Sequence, residues 1–110
     1  MNLRRSDVVT VAAPGDYGKP RPAVVIQTDA LNETAAEGVI LALMTSTLRN
    51  APLLRLTIDV SAAGLTRPTQ IMVDKLLTVR RSKVGEVIGH LSEPDVVALD
   101  RLLAFVIGLG

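Results

Sequence analysis

The sequence has no cysteine and a single histidine, His90. The missing cysteines exclude a disulfide scaffold and thiolate metal sites. One histidine excludes a metal centre built from several histidines and leaves little for nucleophilic catalysis of the Ser–His or Cys–His kind. The chemistry left to the chain is that of arginine, aspartate, threonine and backbone N–H groups, which suits phosphate esters because a guanidinium offers two parallel donors to phosphate oxygens.

Aromatic residues are almost absent as well, since Tyr17 and Phe105 are the only two, so a stacking platform for bases is nearly excluded. A net charge of +1 is too small for a protein that coats nucleic acid by bulk charge. The sequence contains no Walker A motif, no Gly-x-Gly-x-x-Gly, no His-Glu-x-x-His and no Gly-x-Ser-x-Gly. No apolar run is long enough for a membrane helix and the N-terminus lacks a signal-peptide pattern, so we expect a cytoplasmic protein without membrane contact.

The 110 residues predict one domain, 1–110, made of short strands followed by a helix. Apolar and β-branched runs predict strands over 7–13, 23–27, 39–44, 54–59, 69–74 and 84–90, with 76–79 continuing or pairing with the fifth. Ser92 and Asp95 form a capping-box pattern ahead of a helix that Gly108 and Gly110 end. Without βαβ alternation, the order predicts a mainly β (α+β) fold, a small curved antiparallel sheet or barrel with a C-terminal helix. The broad apolar face of that helix predicts a dimer or partner surface beyond the core.

The most informative segment is the Gly/Pro-rich loop at 15–23, in which Arg21 stands between Pro20 and Pro22 directly before an apolar strand. The flanking prolines fix φ and give the arginine a stiff mount. Two interpretations remain open from this pattern: an anion-binding arginine at the rim of the sheet, or a surface arginine paired with Asp16.

The residues Lys19-Pro20-Arg21-Pro22-Ala23-Val24-Val25, followed by Met44-Thr45-Ser46 at a strand end, Ile71-Met72-Val73-Asp74-Lys75 and a C-terminal helix, resemble the MazF/PemK/Kid toxins of bacterial type II toxin–antitoxin modules. The resemblance covers nearly the whole chain in the same order. It implies an SH3-like barrel, a homodimer, a bacterial cytoplasmic location, and metal- and cofactor-independent cleavage of single-stranded RNA at short sequence motifs. It also implies a cognate antitoxin whose flexible acidic tail occupies the RNA groove.

Within that resemblance, Arg21 matches the catalytic arginine, Thr45 matches the threonine at the scissile phosphate with Ser46 beside it, and Asp74 matches a general base. Asp16 could replace an acid that the family carries in its first loop. Three positions depart from the family pattern. Ser6 stands where glycine is usual, Lys75 where glutamine is common, and Met72 where some members have a second catalytic arginine.

Positive charge concentrates in residues 67–83, where five basic residues face one acid. This segment has three open interpretations: an RNA guide, a receptor for an acidic antitoxin tail, or a solvated turn. The residues predicted to bind RNA are Lys19, Ser46, Arg49, Lys75, Arg80 and Arg81.

The chemistry expected of such a site is attack of an RNA 2′-hydroxyl on the adjacent phosphorus, which leaves a 2′,3′-cyclic phosphate and a 5′-hydroxyl. Arg21 would stabilise the charge that builds on phosphorus, Thr45 would bond a non-bridging oxygen, and Asp74 or Asp16 would take the proton. Two alternatives stay open on the same fold. One is a non-enzymatic poison of DNA gyrase like the CcdB proteins, and the other is an inactive binding module, which Met72 and Lys75 would allow.

Overall fold

The structure, a computed structural model, describes residues 2–12, 19–34 and 36–110. Its elements in chain order are β1 (Asp7–Val11), β2 (Arg21–Val25), α1 (Asp29–Asn32), β3 (Gly38–Thr45), β4 (Arg55–Thr57), β5 (Gln70–Arg80), β6 (Val84–His90) and α2 (Glu93–Val106), with a 3₁₀ turn at Arg81–Lys83. Asp16 and most of the predicted first loop lie outside the described residues.

The six strands form a single antiparallel sheet in the order β4-β5-β3-β2-β1-β6. The predicted mainly β class, with a curved antiparallel sheet and a C-terminal helix, is confirmed. The sheet is open, because within the described ranges β4 and β6 are its two edges and do not pair with each other.

The central strands β1, β2 and β3 are buried on both faces of the sheet, which is why their sequences are rich in apolar residues. One face, with Val8, Val24 and Ala42, packs with Leu99 and Leu103 of α2. The other face is enclosed by the curvature of the sheet itself and buries a second cluster: Leu3, Val9, Val11, Ala23, Val25, Val39, Leu41, Val79 and Val84. A small domain with a core on each face of one sheet must curve strongly, and the curvature brings distant strand ends to a common rim.

The longest strand, β5, is interrupted by a wide bulge. Ala42 of β3 pairs with Leu76 and Met44 pairs with Ile71, so β5 advances five residues while β3 advances two. The prediction that 76–79 continues the preceding strand is therefore confirmed, with a bend between the two halves. Bulges of this kind increase the local twist and redirect the side chains they carry, and here the bulge carries Asp74 and Lys75.

The C-terminal helix begins and ends where the sequence predicts. The Ser92 hydroxyl accepts a hydrogen bond from the Asp95 N–H at 3.4 Å. Gly108 has φ +84°, and the N–H groups of Gly108 and Leu109 donate to the carbonyls of Phe105 and Ala104. This is the Schellman arrangement, in which a left-handed residue satisfies the last carbonyls of a helix.

Two local features differ from the predictions. Residues 29–32, expected in a surface connection, form the one-turn helix α1, closed by the Asn32 N–H donating to the Thr28 carbonyl. The strand expected over 54–59 is shorter, because Ile58 leaves the ladder and packs into the core.

Candidate nucleic-acid cleft

A cleft of about 440 Å³ opens at the rim of the sheet where β2 begins and β3 ends. Three chain segments line it: Lys19–Pro22 ahead of and inside β2, Met44–Thr47 at the end of β3, and Leu65–Thr69 between β4 and β5. The walls are therefore strand ends and loops, which is where a rigid sheet commonly presents functional groups.

Arg21 and Thr45, the two residues ranked first by the sequence, meet in this cleft. Ala23 of β2 pairs with Leu43 of β3, and extending that register by two residues places Arg21 directly opposite Thr45. Directly opposed residues of antiparallel strands have Cβ atoms roughly 4.5–5.5 Å apart. Arg21 is also held from its other side by pairing with Val11 of β1, so its backbone is fixed between two strands.

The Thr45 hydroxyl is oriented by the turn that follows it. Its oxygen accepts the Thr47 N–H at 3.0 Å. A hydroxyl that accepts one bond still has its own proton to donate, and Thr45 is only half-buried at the cleft wall. The exposed Ser46 adds a second hydroxyl to the same wall.

Two of the three lining segments bring positive charge to the cleft. Lys19, Arg21 and Arg67 line it, and no aspartate or glutamate is among the lining residues that the structure describes. Arg67 was not among the individual residues predicted to bind RNA, although the basic segment 67–83 begins with it. Its Arg67-Pro68 pair is typical of a turn, and nothing local to it indicated which strand end the turn would approach.

A buried glutamine holds the segment after Thr45 in place. Gln70, which pairs with Thr45 across the β3–β5 ladder, accepts the Arg49 N–H and donates to the Arg49 carbonyl, both at 3.0 Å. It also donates to the Thr57 hydroxyl. The backbone of Arg49 is thus clamped near the cleft, while its exposed side chain is not among the lining residues.

Asp74 and Lys75 do not line the cleft of their own chain. Both are exposed in the bulge of β5, and Asp74 is four residues beyond Gln70, the partner of Thr45. At roughly 3.3 Å per residue this separation is on the order of 10 Å even with the bulge. The prediction of Asp74 as a general base therefore gains no support from its position, and the alternative, Asp16, is outside the described residues.

Arg80 and Arg81 lie at the opposite end of the β3–β5 ladder from Thr45, because Gly38 pairs with Arg80. The extended strand β5 therefore separates the two ends of the basic segment 67–83. Arg80 is 3.5 Å from the Glu37 carboxylate. Arg81 donates to the carbonyls of Ala36 and Asn32, which makes it a structural anchor of the β2–β3 connection.

The histidine and two of the methionines of the sequence are not functional groups of the cleft and make structural contacts. His90 Nδ1 is 3.0 Å from an oxygen of Asp7, as expected of a partly exposed strand-end histidine. Met44 and Met72 are buried in the core. The described part of the chain holds no group of three or more histidine, aspartate or glutamate side chains arranged for a metal ion. Within those same residues, no helix is long and apolar enough to cross a bilayer.

The fold and the cleft together define a class of protein: a small, curved β domain that presents cations and hydroxyls at adjacent strand ends, the donor set that binds phosphate. The sequence matches the family described as PemK-like, MazF-like toxin of type II toxin-antitoxin system over residues 4–107. The chain belongs to this family, and the resemblance seen in its sequence is confirmed.

A relative from Mycolicibacterium smegmatis, named probable endoribonuclease MazF, is 41% identical over 109 residues, covering 97% of this chain and 98% of its own. Solved structures share the fold at lower identity. An endoribonuclease in complex with its cognate antitoxin, from a mycobacterial species, superposes with a TM-score of 0.83 at 20% identity and covers 98% of this chain and 97% of its own. The MazE–MazF complex of Deinococcus radiodurans (Form-II) has a TM-score of 0.81 at 17% identity, covering 100% and 99%.

Proposed function

We propose that this protein is the toxin of a toxin–antitoxin pair and acts as a sequence-specific endoribonuclease on single-stranded RNA. The observation that carries the proposal is the placement of Arg21 opposite Thr45 in a cleft lined by cations and hydroxyls. The relative named probable endoribonuclease MazF, similar over nearly its whole length, supports the same activity.

The proposed reaction is a transesterification within the RNA. The 2′-oxygen forms a bond to the adjacent phosphorus and the bond from phosphorus to the 5′-oxygen breaks. The 2′ proton passes to a base and the departing 5′-oxygen gains a proton. The products are a 2′,3′-cyclic phosphate and a 5′-hydroxyl, and no atom is taken from water.

In this reaction Arg21 stabilises the negative charge that builds on the non-bridging oxygens, where its permanent charge and rigid mount are most effective. Thr45 donates its hydroxyl proton to one of the same oxygens, while one lone pair of its hydroxyl oxygen accepts the Thr47 N–H. A guanidinium keeps its charge at any working pH and is therefore a poor proton donor, so the role of Arg21 is electrostatic. Lys19 and Ser46 bind the RNA strand on either side of the scissile phosphate.

The base remains to be chosen between two carboxylates. Asp16 precedes Arg21 by five residues in the sequence, and Asp74 lies in the β5 bulge outside the cleft of its own chain. Asp16→Asn and Asp74→Asn, each measured at saturating RNA, separate them, because removal of the true base lowers the cleavage rate by about 10²-fold or more.

We further propose a bacterial cytoplasmic homodimer that is silenced by an antitoxin with an acidic tail. A cleft whose described lining residues include three cations and no acid suits such a tail as well as it suits RNA. The dimer is supported by the outward face of α2, where Val97 and Phe105 are about half exposed, 47% and 51%, followed by Ile107 at 55%. A surface helix with so much apolar area outside its own core is typical of a subunit interface.

The test is incubation of purified protein with single-stranded RNA in EDTA, followed by mapping of both new ends. We expect cyclic phosphate and 5′-hydroxyl ends at a recurring short motif, and a loss of about 10²–10³-fold in rate for Arg21→Ala and Thr45→Val. Arg4→Ala, which removes an exposed arginine ahead of β1 and outside the cleft, is the matched control and should cleave like wild type. Wild-type rates in Arg21→Ala would remove Arg21 from the site, and stalled gyrase without RNA cleavage would favour a CcdB-like poison instead.

A further inference from the structure

The wall of the cleft that faces away from β2 is formed by the loop between β4 and β5, and its one cation is Arg67. The sequence placed Arg67 only within the basic segment 67–83, with no position relative to Arg21 and Thr45. An arginine on a loosely held loop adds little to a binding site. Arg67 can therefore contribute to binding only if its loop is held in place.

This loop is held against β6 by direct backbone packing. Gly64 has φ +75°, and a Cβ placed on it would lie 1.9 Å from the carbonyl oxygen of Ile88. On the other side of the contact, a Cβ on Gly89 would lie 2.2 Å from the carbonyl carbon of Ala63. The two glycines therefore permit an approach that no other residue allows, and the His90 N–H donates to the Ala62 carbonyl at 3.1 Å beside it.

The loop is fixed again directly after Arg67. The buried Thr69 hydroxyl donates to the Arg67 carbonyl at 2.8 Å, and the Thr69 carbonyl accepts the Ile58 N–H. Pro68 restricts the backbone between them. Arg67 thus has an ordered backbone, an exposed side chain, and no carboxylate partner among the described residues.

We propose that Arg67 binds the RNA phosphate next to the scissile one. The inference rests on the proposed function. Arg21 and Thr45 face each other across the β2–β3 pair and take the reacting phosphate between them, whereas Arg67 comes from a third segment on another wall of the same cleft. A strand of RNA that places one phosphate between Arg21 and Thr45 brings a neighbouring phosphate to that wall. The site therefore recognises two consecutive phosphates, and Arg67 is a binding residue that positions the substrate.

The experiment is a double-mutant cycle between protein and substrate. An oligonucleotide carrying the mapped cleavage motif is made with its natural backbone and with a neutral methylphosphonate at the linkage on one side of the scissile phosphate or on the other. Wild type, Arg67→Gln and Arg67→Lys are compared by kcat/KM, with Arg4→Gln, an exposed arginine outside the cleft, as the control. We expect Arg67→Gln to lower kcat/KM by roughly tenfold on the natural backbone, with Arg67→Lys recovering part of the loss.

At one of the two linkages the neutral substitution should lower wild-type kcat/KM by a similar factor and have almost no further effect in Arg67→Gln. Two results would overturn the assignment of Arg67 while leaving the proposed activity in place. One is that the losses in kcat/KM from Arg67→Gln and from the neutral linkage multiply at both positions. The other is full activity of Arg67→Gln on the natural backbone. A wild-type protein that cleaves no RNA would instead overturn the proposed function itself.

Discussion

The number of cations in the cleft predicts how steeply RNA binding depends on salt. Lys19, Arg21 and Arg67 line one cleft, with no opposing carboxylate among the lining residues that the structure describes. Each phosphate neutralised on a single strand releases counterions and contributes a slope of about −0.7 to log K against log salt, so three contacts predict a slope of about −2. Between 50 and 200 mM salt the association constant should then fall by roughly 20-fold.

The measurement is fluorescence anisotropy with a labelled single strand that has 2′-deoxyribose throughout, which the proposed reaction cannot cleave. Lys19→Gln removes one of the three cations and should reduce the slope to about −1.4, which corresponds to a decrease of about sevenfold over the same salt range. Arg4→Gln also removes one positive charge from the protein, at an exposed position outside the cleft.

The comparison between the two variants separates contact from net charge. If binding depended only on overall charge, Lys19→Gln and Arg4→Gln would change the slope equally. Equal slopes in the two variants, or a wild-type slope shallower than about −0.7, would refute the interpretation of this cleft as a site for several phosphates.

Three further predictions concern stability and the support of the site. Replacing the buried Gln70 by leucine removes its hydrogen bonds to Arg49 and Thr57. The replacement should lower the free energy of unfolding by about 1–3 kcal/mol and should also lower the rate of RNA cleavage. Chemical denaturation and a cleavage assay check this, and unchanged stability would contradict it. Ser6 has φ +74°, a strained value for any residue with a Cβ. Ser6→Gly should therefore raise the free energy of unfolding by about 0.5–1 kcal/mol, after the greater entropy of glycine in the unfolded chain is subtracted. A Ser6→Ala variant more stable than Ser6→Gly would show that the backbone of Ser6 is not strained. Hydrogen bonds from the Arg5 N–H and the Asn32 side chain hold the pKa of Asp29 below its usual value of 3.8. The contribution of Asp29 to stability is therefore present above that value and is lost as pH falls through the lower folded-state pKa. Unfolding midpoints measured across this acidic range should decline less in Asp29→Asn than in wild type, and identical declines would exclude Asp29 as a cause.

The turn at Ser6 also shows how the structure accommodates a departure from the family pattern. The sequence places serine where the family usually has glycine, and the backbone nevertheless adopts the left-handed conformation. The Ser6 N–H donates to the Val25 carbonyl at 2.7 Å, and its carbonyl accepts the Leu91 N–H at 3.1 Å. Two backbone bonds to neighbouring elements keep the conformation despite its local cost, so the turn is preserved.

The sequence alone determined the features that depend on local periodicity and on stiff residues. Apolar strand runs, the capping pattern at Ser92 and the terminating Gly108 predicted the elements because strand pleat and helix caps are set by neighbours in the chain. Arg21 was singled out by its flanking prolines and Thr45 by the family resemblance, and consecutive antiparallel strands place the start of β2 beside the end of β3.

Tertiary structure alone decided which charged residues share a cleft. The segment 67–83 holds five basic residues and one acid. The strand β5 extends through most of it at roughly 3.3 Å per residue, so Arg67 enters the cleft while Arg80 and Arg81 lie at the far end of the ladder. The β5 bulge moves Asp74 out of the lining, and the packing of Gly64 against Gly89 directs the Arg67 loop inward. Bulges and close backbone approaches arise between segments distant in the chain, and no local pattern encodes where those segments meet.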